Sequence, residues 1–438
     1  MEPPRSFENA PALPVDRIPE RVREAARALA ASPGSGYVYD PSLAADRART
    51  LRAALPDWAR VYFAAKSNGF TPVLARLAEA VDGFEAASLH EAHACLAALE
   101  ERRGGPRSGR IAVSGPGKTP ELLSGLAWLR AREGADVVVN AESELELHRI
   151  SAAAREAGTV LPVTLRVNPE RVPVSGALVM GGTPGPFGVP EPMVPSALRA
   201  AALLPGLDLV GFHVHAVSGN TDAVAHAAYV RWCLEWARST ARAHDVDLRV
   251  VDVGGGLGVP FEEGDASFDL EAFGAALAEL DDPGVEVVFE PGRWIAAPTG
   301  WYVARVTDVK SSYGGHFAVV RGGINHFQLP TSWEIRHNFA VLPGHTWPAA
   351  LPRPGVADAA VTVSGELCTP EDVLARDVRV ESVRAGDVLV FPNAGAYGHE
   401  FAMPAFLAHP GAPRVTVTTR EAPATAVARD TPHPTPLT

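Results

Sequence analysis

Short β-prone runs alternate with stretches of helical periodicity through the first 300 residues of the chain. The runs cover 61–65, 83–87, 110–114, 136–139, 163–167, 209–214, 248–253 and 285–290. Helical patterns lie between most of them, as at 71–80, 89–102, 142–157 and 223–243. Eight strands alternating with helices over about 250 residues is the count of an α/β protein of the (β/α)8, TIM-like barrel class. A doubly wound open sheet is the alternative, and polar or glycine-rich residues after many of the strands favour the barrel.

The pattern changes after residue 300. The runs 301–310, 317–321, 361–364 and 387–391 are typical of strands, with little helix and many Gly and Pro residues between them. This texture predicts a C-terminal β domain of barrel or sandwich type. We therefore expect an N-terminal segment at 1–35 that packs on the β domain, a barrel at 36–300, the β domain at 301–420 and a disordered Pro/Thr-rich tail at 421–438.

Composition excludes several classes of partner. The 438 residues carry 39 basic and 51 acidic side chains, a net charge of -12, which argues against a nucleic-acid-binding surface. The three cysteines, Cys95, Cys233 and Cys368, lie far apart and fit neither a disulfide framework nor a metal site. The sequence shows no apolar run of about 20 residues and no signal-peptide core, so we expect a cytoplasmic protein without membrane contact.

The first barrel strand ends in a lysine. The apolar run Val61–Ala65 leads directly into Lys66, and the turn residues Ser67, Asn68 and Gly69 follow. This order predicts a buried strand whose carboxyl end presents an amine. Apolar neighbours would lower the pKa of the amine and make it a nucleophile toward carbonyl groups. The alternative is a lysine that simply leaves the core at a strand end.

The sixth strand carries two histidines. Strand alternation sends His213 and His215 to the same face. Such a pair is compatible with a metal site, but the sequence shows no third ligand at a suitable spacing, so no metal is predicted. One imidazole is instead predicted to stack on a flat aromatic ligand, and a plain core histidine is an equal alternative for His213.

Glycines and a charged pair follow the last two barrel strands. Gly254, Gly255 and Gly256 come after strand seven, where backbone amides without side chains form an anion cradle or, alternatively, a tight turn. Strand eight leads into Glu290 and Arg293, which fit a phosphate-binding arginine beside a separate carboxylate, or a simple ion pair. An amine, a stacking ring, a phosphate cradle and an isolated carboxylate on one barrel rim together fit pyridoxal 5'-phosphate.

Six motifs connect these residues to a known family. They are AAKSN at 64–68, HVHAVSGN at 213–220, DVGGGLG at 252–258, EPGR at 290–293, GELCTPED at 365–372 and AGAYG at 394–398. In these motifs and their order the chain resembles the pyridoxal-phosphate decarboxylases of fold type III, the ornithine/diaminopimelate decarboxylase family. The resemblance implies an alanine racemase-like architecture and a homodimer with shared active sites.

The resemblance also implies individual roles. Lys66 would be the Schiff-base lysine, His215 would stack on the cofactor ring, and Glu290 would bind its pyridine nitrogen. Arg166 would lie near the phenolic oxygen, and Cys368 would act from the partner subunit as the acid that protonates the carbanion. The phosphate would be held by Ser218, Gly254, Gly255, Gly256, Arg293 and Tyr397.

Three positions depart from the family pattern. Val217 replaces a glycine before the phosphate-binding serine, Thr369 replaces an acidic residue that contacts a distal substrate amine, and Leu329-Pro330 replaces an Arg-Pro pair of diaminopimelate enzymes. The stretches 301–303, 368–370 and 406–410 resemble the branch associated with siderophores and other secondary metabolites. The substrate residues implied by the resemblance are His326, Gln328, Thr369 and Asp372.

The resulting functional prediction is a carboxy-lyase. We expect pyridoxal-phosphate-dependent decarboxylation of a basic or modified amino acid to the amine and carbon dioxide. A racemase or epimerase on the same fold is one alternative, although protonation of the ring nitrogen by Glu290 argues against it. A non-catalytic cofactor-binding relative is the other alternative, and it would be expected to lack Lys66 or Cys368, both of which are present.

Overall fold

The computed structural model describes residues 10–101, 109–174, 176, 178–262, 264–330, 333 and 335–418, so the predicted tail at 421–438 lies outside the described residues. The helices are α1 (Glu20–Ala31), α2 (Pro41–Ala54), α3 (Thr71–Leu77), α4 (Leu89–Glu100), α5 (Pro120–Glu133), α6 (Glu144–Glu156), α7 (Val194–Leu203), α8 (Ala223–His244), α9 (Leu270–Ala278) and α10 (Arg293–Ala296). The strands are β1 (Ser35–Tyr39), β2 (Ala59–Ala64), β3 (Gly83–Ala86), β4 (Arg110–Val113), β5 (Val137–Ala141), β6 (Leu161–Asn168), β7 (Leu178–Val179), β8 (Val189–Pro190), β9 (Leu207–His213), β10 (Val217–Ser218), β11 (Val250–Asp252), β12 (Glu286–Phe289), β13 (Gly300–Ser312), β14 (Gly315–Val320), β15 (Ala340–Leu342), β16 (Gly355–Ser364), β17 (Val373–Arg384), β18 (Val388–Phe391) and β19 (Arg414–Thr416).

The described residues divide into two compact units. One contains the described parts of 44–260 and 266–295, and the other those of 1–43, 261–265 and 296–438. The domain limits predicted from the sequence stay a prediction. None of the described helices is long and apolar enough to cross a membrane.

In the first unit, eight parallel strands close into a barrel. The hydrogen-bonded order is β2-β3-β4-β5-β6-β9-β11-β12, and β12 returns to β2 through pairs such as Phe289 with Val61. This closure confirms the predicted barrel and excludes the open sheet, which has two free edges. All eight predicted strands are present. Their interior is a packed core, in which Tyr62, Ala112, Val138, Val210, Val250 and Val288 form one buried cluster.

Local sequence explains where the barrel helices begin. The N-cap side chains of Ser88, Thr119, Ser143, Asp222 and Asp269 each accept a hydrogen bond from the backbone amide three residues later. Such caps satisfy amides that the first helical turn leaves without partners, which typically stabilises a helix by about 1 kcal/mol. The caps fix the lengths of the strand-to-helix loops, and these loops carry the polar residues of the barrel rim.

The second unit is a curled mixed sheet, as expected for the β domain. Its order is β15-β18-β13-β14-β16-β17, with β1 paired to β13 and β19 paired to β1. Helix α1 packs its buried face, Val22, Ala26, Leu29 and Ala30, into a cluster with residues of β13, β15 and β18. The strands β15, β17 and β19 were not predicted from the sequence.

Candidate active site

The carboxyl ends of the barrel strands bring the predicted rim residues together. Lys66 lies in a 3-10 turn, Ala65–Ser67, directly after β2, and His215 follows β9. The glycines Gly254–Gly256 follow β11, and Glu290 follows β12. Because parallel strands in a closed barrel all end at the same rim, residues far apart in sequence share one site there.

The Lys66 amine faces a buried carboxylate. Its Nζ atom lies 3.1 Å from Oε2 of Glu85, a side chain with 0% exposure at the end of β3, whereas the lysine side chain is 38% exposed. The sequence predicted apolar surroundings for this amine, and the structure adds a carboxylate to them. Sequence reasoning missed Glu85, although a lone acid in the buried strand Gly83–Ala86 signals that a cationic partner lies nearby.

Two further carboxyl groups lie close together at the rim. Ligand atoms of His213, Asp252 and Glu290 all lie within 4.8 Å of one another, and all three residues are buried. Burial raises the pKa of Asp252 to about 7. Burial first, and then the neighbouring Asp252 and Glu85, raise the pKa of Glu290 well above its usual value. Two buried acids this close cannot both ionise readily, so the pair holds a proton near neutral pH.

This trio also corrects one step of the sequence argument about metals. The spacing around His213 showed no third ligand, yet Asp252 and Glu290 supply a suitable donor set from other strands. Neither ring nitrogen of His213 has a hydrogen-bond partner among the described residues, and the same is true of Oε1 of Glu290. Burial and the nearby Arg166 lower the pKa of His213 well below its usual value, so its ring is neutral.

The glycine turn fixes the orientation of His215. The Gly255 amide donates to Nδ1 of His215 at 3.0 Å. Since a backbone amide only donates, Nδ1 carries no proton and the neutral ring has its proton on Nε2. Burial, Lys66 and Arg166 lower the pKa of His215 well below its usual value, which favours this neutral form. The rings of His213 and His215 stack at 6.4 Å with 26° between their planes.

Each of the three glycines is required by close packing. A Cβ on Gly254 would lie 2.3 Å from Nδ1 of His215, one on Gly255 would lie 2.3 Å from the Glu290 carbonyl oxygen, and one on Gly256 would lie 2.8 Å from the Val217 carbonyl oxygen. The Gly254 amide donates to Oδ1 of Asp252 at 2.9 Å. Two of the three amides of the predicted cradle are therefore used within the chain, by Asp252 and His215.

Arg166 is held by a residue that sequence reasoning did not single out. Its Nη1 atom donates to Oε1 of Glu142 at 2.9 Å, and both side chains are buried. Glu142 also accepts the backbone amides of Gly115 at 2.8 Å and Gly188 at 3.0 Å. The guanidinium lies 4.8 Å from the centre of the Phe187 ring. Glu142 thus connects Arg166 to the two segments that contain Gly115 and Gly188.

Two predicted phosphate-binding residues lie on elements next to the rim. Ser218 ends β10, which pairs with β7, and Arg293 is buried at the start of α10 directly after the Glu290 turn. Ser218 belongs to the segment that follows barrel strand β9, and Arg293 belongs to the segment that follows β12, just as the glycine turn follows β11. The structure therefore places every predicted barrel residue near the carboxyl end of a barrel strand or in the segment that follows it.

The other predicted residues lie in the β unit. Cys368 is exposed. Tyr397 has a left-handed backbone (φ 65°), and its ring lies 5.2 Å from that of Trp333. Both ring nitrogens of His326 are used, by Ser35 Oγ at 3.1 Å and the Pro410 carbonyl at 2.7 Å, so a substrate contact through this ring would first have to break one of these bonds.

Three predicted substrate residues share the β unit with them. Oε1 of Gln328 has no hydrogen-bond partner among the described residues. Thr369 is partly exposed. Asp372 is buried, and its carboxylate accepts two backbone amides.

The barrel rim fits pyridoxal phosphate. It offers an amine for the aldehyde, a neutral imidazole for the ring, and a buried carboxyl oxygen, Oε1 of Glu290, without a hydrogen-bond partner among the described residues for the ring nitrogen. A turn of three glycines, at positions where an added Cβ would meet other atoms, is the kind of backbone that can approach a phosphate closely. These are the groups that bind and tune this cofactor.

Comparison with known proteins also indicates a pyridoxal phosphate site. A family model for the pyridoxal-binding domain of pyridoxal-dependent decarboxylases matches residues 43–297. A 2-[(L-alanin-3-ylcarbamoyl)methyl]-2-hydroxybutanedioate decarboxylase of Staphylococcus aureus is 32% identical over 378 residues, covering 85% of this chain and 92% of that protein. An L-glutamyl-[BtrI acyl-carrier protein] decarboxylase of Niallia circulans is 28% identical over 383 residues, covering 85% of this chain and 86% of that protein.

A solved structure agrees in fold. Diaminopimelate decarboxylase from Helicobacter pylori, in complex with L-lysine, matches with a TM-score of 0.73 over 89% of this chain and 93% of that chain, at 23% identity. Together, the family match over more than half of the chain and the relatives over most of it support decarboxylation rather than racemisation. The chain therefore belongs to the fold-type III pyridoxal-dependent decarboxylases, and its activity is the pyridoxal-phosphate-dependent decarboxylation of an amino acid.

Proposed function

We propose that Lys66, His215, Glu290 and Cys368 are the catalytic residues of this decarboxylase. One observation carries the barrel part of this assignment: the Lys66 amine and the buried Oε1 atom of Glu290 belong to the same rim, and that oxygen makes no hydrogen bond to any described residue. A buried carboxyl oxygen without a hydrogen-bond partner is costly to maintain, and a ring nitrogen would satisfy it.

Bound pyridoxal phosphate supplies an electron-accepting ring, which stabilises the negative charge left on the substrate Cα when carbon dioxide departs. Lys66 would hold the cofactor covalently at its aldehyde carbon, with loss of water. Burial raises the pKa of Glu290, so this carboxyl group holds a proton more tightly than an ordinary glutamic acid does, and Oε1 would share that proton with the ring nitrogen. His215, fixed through Nδ1 by Gly255, covers one face of the ring.

The remaining proposed contacts hold the cofactor in place. Arg166, which is oriented by Glu142, would bind the phenolic oxygen of the cofactor. The phosphate-binding set that we propose is Ser218, Gly254, Gly255, Gly256, Arg293 and Tyr397. Since the amides of Gly254 and Gly255 already bind Asp252 and His215, the charge of Arg293 and the Ser218 hydroxyl carry a larger share of phosphate binding than the turn does.

We propose that the substrate is a modified amino acid with an uncharged or acidic side chain. The position after Cys368 is the neutral Thr369, which cannot form an ion pair with a distal ammonium group. The name of the S. aureus relative describes an alanine linked through its C3 and an amide to a hydroxybutanedioate, a substrate of this kind. Such a conjugate is typical of siderophore chemistry. The carrier-bound glutamyl substrate named for the N. circulans relative is the second candidate.

We also propose a cytoplasmic homodimer with shared active sites, in which Cys368 protonates the substrate carbanion across the interface. The segment after Tyr397 exposes Phe401, Met403, Phe406 and Leu407 by 38 to 50%, an apolar surface that a second subunit could cover. All three cysteines are free, which fits a reducing compartment. Mixing Lys66→Ala and Cys368→Ala subunits should restore part of the activity, and no recovery would contradict the shared site.

The substrate is tested with a panel of free, amide-linked and carrier-bound amino acids in deuterium oxide, with added pyridoxal phosphate and detection by mass spectrometry. We expect an amide-linked acidic amino acid to give a singly deuterated amine with the highest kcat/KM. Higher kcat/KM for ornithine, lysine or diaminopimelate would contradict the proposed substrate class. Deuterium appearing in unreacted amino acid would indicate racemisation instead.

A further inference from the structure

The turn that carries Cys368 is closed by the side chain of Asp372. Oδ2 of Asp372 accepts the Leu367 amide at 2.7 Å. The backbone closes the same turn, because the Gly365 amide donates to the Asp372 carbonyl at 3.1 Å and the Asp372 amide donates to the Thr369 carbonyl at 3.3 Å. The segment 365–372, which we call the cysteine turn, is therefore a compact loop built around one carboxylate.

The same carboxylate joins the cysteine turn to a second loop. Oδ1 of Asp372 accepts the Ile324 amide at 2.8 Å. A Cβ on Gly323 or on Gly365 would lie 2.2 Å from the carboxylate oxygens. The carboxylate thus fills a slot whose walls are glycine backbone, so both its position and its size are specified.

A second acid fixes the start of the cysteine turn. Oε1 of Glu366 accepts the Gly322 amide at 3.0 Å, and the Glu366 amide donates to the Gly322 carbonyl at 2.8 Å. Its other oxygen pairs with Arg321. The turn is anchored on both sides of Cys368, whose thiol is exposed while Asp372 is only 2% exposed.

We propose that Asp372 is a positioning residue, which holds the Cys368 thiol in place through the cysteine turn instead of contacting the substrate. Both carboxylate oxygens already accept backbone amides, which is the arrangement of a structural anchor. Removal of the charge leaves two buried amides with a weaker partner and loosens the turn. The catalytic consequence rests on the proposed role of Cys368, whereas the positioning itself does not.

The positioning is tested by alkylation of Cys368 with iodoacetamide in the holoenzyme. Cys95 and Cys233 are both 0% exposed, so the reaction reports on Cys368 alone, and Cys368→Ala supplies the blank. We expect Asp372→Asn to alkylate at least about fivefold faster than wild type. Glu371→Gln removes a charge from an exposed site in the same turn and should stay within about twofold. Equal rates for Asp372→Asn and wild type would overturn the proposal.

If Asp372→Asn does not fold, Asp372→Glu replaces it. This variant keeps the charge but overfills the glycine slot, so the same acceleration is expected, and an unchanged rate would again overturn the positioning role. Circular dichroism and the affinity for pyridoxal phosphate should remain at the wild-type level for either variant.

A double-mutant cycle tests the catalytic consequence. We expect Asp372→Asn to lower kcat about tenfold in the wild-type background and less than about twofold in the Cys368→Ala background, because Asp372 acts through the thiol. An equal loss in both backgrounds would overturn the link to Cys368. If Cys368→Ala keeps full kcat, the proposed acid role of Cys368 is wrong, and the alkylation rates alone decide whether Asp372 positions the turn.

Discussion

The substitution Gly254→Ala tests whether the glycine turn of the barrel controls the position of His215. Gly254 has a φ of +70°, and an added Cβ would lie 2.3 Å from Nδ1 and 2.8 Å from Cβ and Cγ of His215. The left-handed backbone alone costs about 1–2 kcal/mol for alanine. The contact with a packed side chain adds about 1–3 kcal/mol, because the imidazole must move and its bond to Gly255 weakens. We expect a total loss of about 2–5 kcal/mol.

Gly284→Ala is the matched control. Gly284 has a φ of +64°, but no atom lies within 4 Å of its added Cβ, so the substitution isolates the backbone term of about 1–2 kcal/mol. The assays are the unfolding free energy of the cofactor-free protein in urea and the dissociation constant of pyridoxal phosphate, followed by absorbance. We expect Gly254→Ala to bind the cofactor at least about tenfold more weakly than Gly284→Ala does. Equal stability and affinity for both variants would refute the argument from the His215 contact.

Three other predictions concern the charged groups of the barrel. Lys66→Ala should lose the cofactor linkage that borohydride reduces, and a remaining reducible adduct would show that another amine is the nucleophile. Asp252 has a folded pKa of about 7, above the unfolded value of about 3.9. Its contribution to stability is therefore complete below about pH 4 and is lost as the pH rises through 7. Asp252→Asn should reduce this loss in thermal unfolding of the cofactor-free protein, and an unchanged pH profile would contradict the raised pKa. Glu142→Ala leaves Arg166 buried without its partner and should lower the unfolding free energy by about 3–5 kcal/mol. Glu144 is exposed, so Glu144→Ala should change the unfolding free energy by no more than about 0.5 kcal/mol, and similar losses for the two variants would argue against the buried pair.

The alternation of apolar runs with helical patterns was sufficient to predict the barrel and all of its strands. Buried parallel strands need apolar residues on both faces, so they form continuous runs that are easy to recognise. The β unit was harder to predict. Strand β17 alternates buried and exposed residues over Val373–Arg384 with several charges on its exposed face. Strand β1 pairs with β13 and β19, both of which lie hundreds of residues further along the chain. Pairing over such distances depends on tertiary packing and leaves little local pattern.

The residues of the candidate site also fall into those that the sequence predicted and those that it did not. Lys66, His215 and the glycines could be found because each is an abrupt chemical change at the end of an apolar run. Glu85 and Glu142 also lie at strand ends, but their significance depends on the cation that each one meets, Lys66 or Arg166, at the end of a neighbouring strand. The sequence shows the chemical type of each residue. Which oppositely charged residue it contacts depends on how the strands are arranged in the closed barrel.

The sequence alone determined that the chain forms a barrel with an amine, an imidazole, a glycine turn and an acid at the ends of different strands, because strand periodicity and turn chemistry are local properties. Only the tertiary structure decided that Asp252 lies beside Glu290 and raises its pKa, and that the Asp372 carboxylate accepts backbone amides of the Cys368 turn and of the loop at Ile324. Burial and the distance between charges decide both outcomes, and neither quantity exists until the strands and loops have packed together.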